Sequence, residues 1–251
     1  MSRRAAEPEP FLLRAGIAET VLVLAAFAGM AFGFAVGNAW ALPLVAAAPA
    51  YPFFRADVRA KRGKRALARM LVWSAALSLA AIAATLVVPE RAEAVILRGA
   101  GYRDDMFAWI RTGVGAESDP SLFLPEHALH FAAFAFLALV SGGFLALALG
   151  ALLLDYMNFY VAELVVRLDP FFPGILVAWP LYAMARVAGF VTVGIAIAHL
   201  SFALWARRAP DREFFFRYFY AGSALVAADA CLKIVLAPIG REVLAGALPP
   251  N

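Results

Sequence analysis

The stretch Pro125-Glu126-His127-Ala128-Leu129-His130 leads into an uncharged run from Phe131 to Leu154, which closes at Asp155-Tyr156-Met157-Asn158. That run is about 24 residues long, and at 1.5 Å per residue a helix of this length spans the roughly 30 Å of bilayer hydrocarbon. Its reading decides the fold class. Similar apolar runs recur on both sides of it, and the whole chain of 251 residues is 64% hydrophobic and 16% charged, with a mean hydropathy of +0.79. Soluble domains hold about 45–50% apolar and about 25% charged residues. A water-soluble fold of this size could not bury so much apolar surface. The alternation in segments of about 10 residues that marks a membrane β-barrel is absent. The sequence therefore predicts an all-α, polytopic membrane bundle.

Working outward, the runs predict spans at 15–37, 41–54, 70–88, 127–154 and 214–236. Between the last two lies a stretch that reads either as two spans, 171–185 and 187–206, or as one long span, 175–206. The total is seven or six. Two spans would carry Arg186 to an outer interface and keep Arg207, Arg208, Arg212 and Arg217 on the cytoplasmic side, as the positive-inside rule prefers. Pro43, Pro49 and Pro52 make 41–54 a kinked or re-entrant piece, because each removes a backbone donor that lipid cannot replace. A signal peptide is a poor reading of 15–37, whose apolar region exceeds the usual core of 7–15 residues.

Arg55, Arg59, Lys61, Arg62, Lys64, Arg65 and Arg69, opposed only by Asp57, make 55–69 a basic cytoplasmic loop. Such a cluster sets topology and offers anionic lipid headgroups a surface. Its place between two apolar runs argues against nucleic acid as the source of the net charge of +4. Residues 90–125 form an extracytoplasmic segment. Within it Tyr102, Met106, Phe107 and Ile110 share one face of a helix, while Arg103, Asp104, Asp105 and Arg111 point elsewhere. That pattern suits a helix lying in the interface or covering the outer mouth. Residues 155–169 read as a cytoplasmic interfacial helix ended by Pro170 and Pro173. Gly29, Gly33 and Gly37 make a strip on the first span where a helix of this chain or of a partner copy can approach closely.

Charged groups within a bilayer are expensive, so each is a candidate site. Glu126, His127 and His130 could together hold a transition metal, with imidazole and carboxylate ligands. They could equally open a helix, with Pro125 at its first position and an acid at the positive dipole end. Asp229 and Lys233 stand four apart on the last span and read as a neutralising pair. Over those two residues the span resembles the retinal-lysine helix of microbial rhodopsins, but 70–88 carries no acid to serve as a counter-ion. Arg186 is the third candidate, paired across helices with Asp229 or Glu19 and flanked by Tyr182 and Phe190. A guanidinium so placed binds carboxylate or phosphate through two parallel hydrogen bonds. Asp155, at the end of the central run, is a further ion-pair or binding candidate. His199 reads as an interfacial residue on the side opposite His127.

There is no G-x-x-x-x-G-K-[ST] phosphate loop, no G-x-S-x-G around Ser141 and no internal repeat. The lone Cys231 excludes an internal disulfide. Two classes of function remain. One is a non-catalytic multi-pass protein of the cell membrane, either a small permease or an embedded subunit of a larger assembly. The other is a membrane enzyme with a metal at Glu126, His127 and His130.

Overall fold

The computed structural model describes residues 14, 16–168 and 178–248. Pro170, Pro173 and the first part of the expected span at 171–185, residues 171–177, lie outside those residues. The described chain is helical: α1 (Ile17–Val36), α2 (Ala41–Ala47), α3 (Tyr51–Arg59), α4 (Gly63–Val87), α5 (Pro89–Val95), α6 (Gly99–Thr112), α7 (Pro120–Ser141), α8 (Phe144–Arg167), α9 (Leu181–Trp205) and α10 (Arg212–Ala247). Six of them, α1, α4 and α7 to α10, are long and apolar enough to cross a membrane. This is a multi-pass membrane protein.

Polar contacts fix which ends lie together. Arg69, near the start of α4, bonds Glu19 near the start of α1 at 3.0 Å. Arg91 on α5, just past the end of α4, donates from Nε and Nη2 to the carbonyl of Phe34 near the end of α1, at 3.1 and 3.0 Å. Helices α1 and α4 thus run parallel, and α2 with α3 must return the chain as a broken pair. The Lys61–Asp211 pair, 2.7 Å long, puts the turn before α10 at the same end as Arg69. We call this the basic end. The opposite, cavity end gathers α5, α6, the starts of α7 and α9, and the last half of α10.

Two span assignments need correction. The 127–154 run is not one span: it breaks at Gly142 and Gly143, both with positive φ (62° and 96°), and α7 and α8 run in opposite directions. The left-handed conformation is open to glycine at little cost. A Cβ on Gly142 would also stand 2.6 Å from the Phe202 ring. Gly142 and Gly143 make the turn. Helix α9 passes straight through Arg186, which fits the single span of 175–206 and not the two spans 171–185 and 187–206. Among the described residues six helices are long enough to cross, and the α2–α3 pair returns the chain between α1 and α4, a partition different from the one expected.

Three smaller corrections follow. Helix α7 begins at Pro120 with Asp119 as its cap, accepting from Ser121 N at 2.9 Å, so Pro125 lies inside the helix rather than at its start. Residues 155–167 continue α8 instead of forming a separate cytoplasmic helix, and they stand at the cavity end against α6. The basic segment 55–69 is mostly helical, with only a short turn between α3 and α4. Arg69 within it is wholly buried, bonded to Asp57 at 2.7 Å and to Glu19. Arg55, Arg62 and Lys64 stay exposed.

The glycine strip is filled from within the chain. A Cβ on Gly29 would meet the Ala46 backbone at 3.3 Å, and Gly33 and Gly37 lie against Leu42 and Arg91. Helix α2 therefore occupies the face that a partner helix would have used. A second close crossing, Gly189 on α9 against Gly222 on α10, is the one that builds the site. A Cβ on Gly222 would sit 2.6 Å from Val193 N and 2.8 Å from Gly189 O.

Candidate functional site: a charged cavity at the cavity end

Backbone contact at Gly189 and Gly222 brings α9 and α10 close enough for their side chains to pair one and two turns further on. Arg186 lies one turn before Gly189, and Asp229 lies two turns after Gly222. Arg186 donates from Nε to Asp229 Oδ2 at 2.8 Å and from Nη2 to Oδ1 at 3.1 Å. Asp229 is fully buried. The expected Arg186–Asp229 pair is present, whereas Glu19 lies at the basic end with Arg69. The fork uses two edges of the guanidinium, and Nη1 hydrogen-bonds none of the described residues.

Asp229 and Lys233 do not neutralise each other. Lys233 Nζ turns to Glu117 Oε2 at 2.9 Å and lies 4.6 Å from the centre of the Phe123 ring. The second Glu117 oxygen accepts from the Tyr182 hydroxyl at 2.8 Å. Glu117 was not legible in the sequence. It sits in the turn between α6 and α7, a polar stretch with no periodicity, and its partners are 65 and 116 residues away.

Glu126, His127 and His130 reach the same cavity but do not form a metal-ligand set. Glu126 faces Arg98 at 3.5 Å, and His127 Nδ1 lies 3.6 Å from Asp229 Oδ2. The cations Arg186 and Lys233 share the space with both imidazoles. Among the described residues no group of three His, Cys, Asp or Glu side chains is placed to hold an ion. A zinc-like centre needs three or four converging donors, and these residues do not fit one. Asp155 stands apart from this cavity: it is buried on α8, and neither carboxylate oxygen hydrogen-bonds any of the described residues. His199 lies at the basic end, accepting from Asp211 N at 3.2 Å.

Together these side chains enclose a cavity of about 330 Å³ between α6, α7, α8, α9 and α10. Its lining carries three bases, Arg98, Arg186 and Lys233, and three acids, Asp105, Glu117 and Glu126. Helix α6 covers it. Met106, Phe107 and Ile110 turn inward as the pattern predicts, and Trp109 is buried beside them. Tyr102, also on α6, has its phenol held well above the ordinary range by burial, with the charge of Glu117 adding to the effect. It stays a neutral donor. The arrangement can hold a small polar group bearing opposite charges while keeping it from lipid.

Set against known protein families, curated proteins and solved structures, the chain matches none.

Proposed function

We propose that this protein is a non-catalytic membrane protein, a small permease, whose substrate site is the cavity around Arg186. The observation that carries the reading is the balanced lining: three bases and three acids surround one cavity, and Arg186, whose Nη1 hydrogen-bonds no described residue, is one of the bases. A net field of one sign would favour a bare ion. Paired fields of both signs favour a zwitterion, with its anionic part on Arg186 and its cationic part among the acids and the rings of Tyr102, Trp109 and Tyr156. Buried charges in a membrane protein mark substrate pathways more often than scaffolding.

The basic end carries Arg55, Arg62, Lys64, Arg207, Arg208 and Arg217, which by the positive-inside rule places it in the cytoplasm. The cavity then opens on the far side of an inner or plasma membrane. Arg55, Arg62 and Lys64 remain the surface for anionic headgroups.

The test is equilibrium binding of phosphoethanolamine, inorganic phosphate and ethanolamine to the protein in a neutral maltoside detergent, beside Arg186→Gln. Preferential binding of the zwitterion, weakened at least tenfold in Arg186→Gln, supports the reading. Equal binding of all three, or none, contradicts it.

A second reading, an embedded subunit, draws on α7 and α10. They bury only 17% and 22% of their apolar windows, against 56–67% for α4, α8 and α9. Such faces suit lipid or a partner's helices. A monodisperse single-chain mass after mild extraction would argue against the subunit reading.

A further inference from the structure

The charged cavity does not end at Arg186. His127, His130, Tyr156, Met157 and Arg186 also line a narrow neck that leads towards the bundle interior. Five residues of that neck, Ser74, Leu154, Met157, Ala183 and Val187, in turn line a groove of about 390 Å³ between α4, α8 and α9. This groove is apolar along most of its wall, with Ser74, Ser78 and Asn158 as its polar members. The Asn158 amide is already engaged, donating to Leu154 O at 2.8 Å and accepting from Trp179 Nε1 at 2.9 Å. The groove opens sideways, where Ala75 on α4 and Met184 on α9 are exposed; Met184 is 55% exposed. In a membrane that flank meets hydrocarbon. An apolar wall adjoining a charged cavity is one site with two chemistries.

The order of groups along the path is specific. From the groove inward one meets hydrocarbon walls, then Arg186 with two imidazoles, and then the charged cavity, where Glu117 and Glu126 are paired with Lys233 and Arg98 and Asp105 is ion-paired with no described residue. A single-chain lipid with a phosphate-and-amine headgroup has the same order: chain, phosphate, amine. We propose that the substrate of this site is such an amphiphile, its chain in the α4–α8–α9 groove, its phosphate at Arg186 and its amine among the acids. The proposal rests on the zwitterion reading of the cavity and adds the hydrocarbon chain to it. Charge order commits it to a zwitterionic headgroup rather than an acidic one, and the lateral opening gives a route from the bilayer without passage through water.

The test uses full-length protein in maltoside micelles and measures equilibrium binding of three probes: a single-chain phosphoethanolamine lipid, free phosphoethanolamine, and a single-chain phosphatidic acid. The lipid should bind at least a hundredfold more tightly than the free headgroup. The chain comes from the apolar micelle core and not from water, so shortening it should weaken binding at fixed lipid mole fraction only once it no longer fills the groove. Ala75→Trp places a ring in the groove mouth at an exposed position, so the fold tolerates it; it should bring the lipid down to the affinity of the free headgroup. Headgroup binding as tight as lipid binding would overturn the amphiphile and leave the zwitterion site standing. Tighter binding of the phosphatidic acid would overturn the charge order. If neither lipid nor headgroup binds, both this proposal and the site reading fall.

Discussion

The two ends of the bundle use the same chemistry for different ends. At the basic end Asp57, Arg65, Arg69 and Glu19 pair within and between α1, α3 and α4, and Asp57 and Arg69 are fully buried. The Asp57 partners lie only 8 and 12 residues away along the chain. At the cavity end the pairs join residues 43 and 116 apart, and they surround space. The first network pins the α3–α4 turn and, through Arg69 and Glu19 50 residues apart, ties α4 to α1 with none of the described cavities between them. The second holds helices around a void that side chains could have filled, and a void lined by charge is the mark of a site rather than a lock.

Five substitutions probe that contrast, and the largest effect belongs to the lock. Arg69→Ala strips buried Asp57 of one partner, and loss of one member of a buried pair costs about 3–5 kcal/mol. Thermal unfolding in detergent should show a large fall in Tm, with no selective effect on ligand binding beyond the loss of folded protein. Gly222→Leu comes next. It pushes α10 off α9 where a Cβ already lacks room, and overpacking costs about 1–3 kcal/mol. Because the same crossing sets the Arg186–Asp229 distance, this variant should lose stability and binding together.

Arg186→Gln and Asp229→Asn sharpen the comparison. Each should weaken phosphoethanolamine binding at least tenfold with a smaller drop in Tm than Arg69→Ala. Their double mutant should be more stable than additivity predicts, by about 1–3 kcal/mol, as contacting charged residues couple. Additive losses would show that the fork is not a coupled unit. The smallest effect is at Lys61→Ala on the surface of the lock. Hydrogen bonds from Lys61 and from the backbone of Phe214 hold the Asp211 carboxyl below its ordinary value of about 4. A depressed carboxyl stabilises the fold above its unfolded value and loses that contribution as pH falls through the folded one. Wild type and Lys61→Ala should differ slightly at neutral pH and converge below about pH 4; a gap that widens in acid would contradict the assignment.

The class was legible because long apolar runs have one physical explanation, and so was the inward face of α6, which follows a helical period. The course of the chain was harder. Gly142 and Gly143 interrupt a run with no charge, and nothing in hydropathy separates a turn from a packing glycine. Missing that turn shifts 155–167 to the wrong end, while of the two readings around Arg186 the unbroken helix is the one present. The site was half legible. Arg186, Asp229 and the histidines stood out as polar groups in apolar helices. Glu117 did not, since an acid in a polar turn is ordinary until Lys233 and Tyr182 reach it from α10 and α9. Lys233 was assigned to Asp229 because the two stand one helical turn apart, yet each finds a better-placed partner on another element.

The most direct test of the central claim, that the Arg186 cavity is a ligand site and not a second lock, is one binding isotherm taken three times. A single-chain phosphoethanolamine lipid would be titrated into wild type, Arg186→Gln and Lys61→Ala in maltoside micelles. Saturable binding to wild type and Lys61→Ala, weakened at least tenfold in a folded Arg186→Gln, is the predicted result. Identical isotherms for all three proteins would contradict it and return Arg186 to the role that Arg69 plays at the other end.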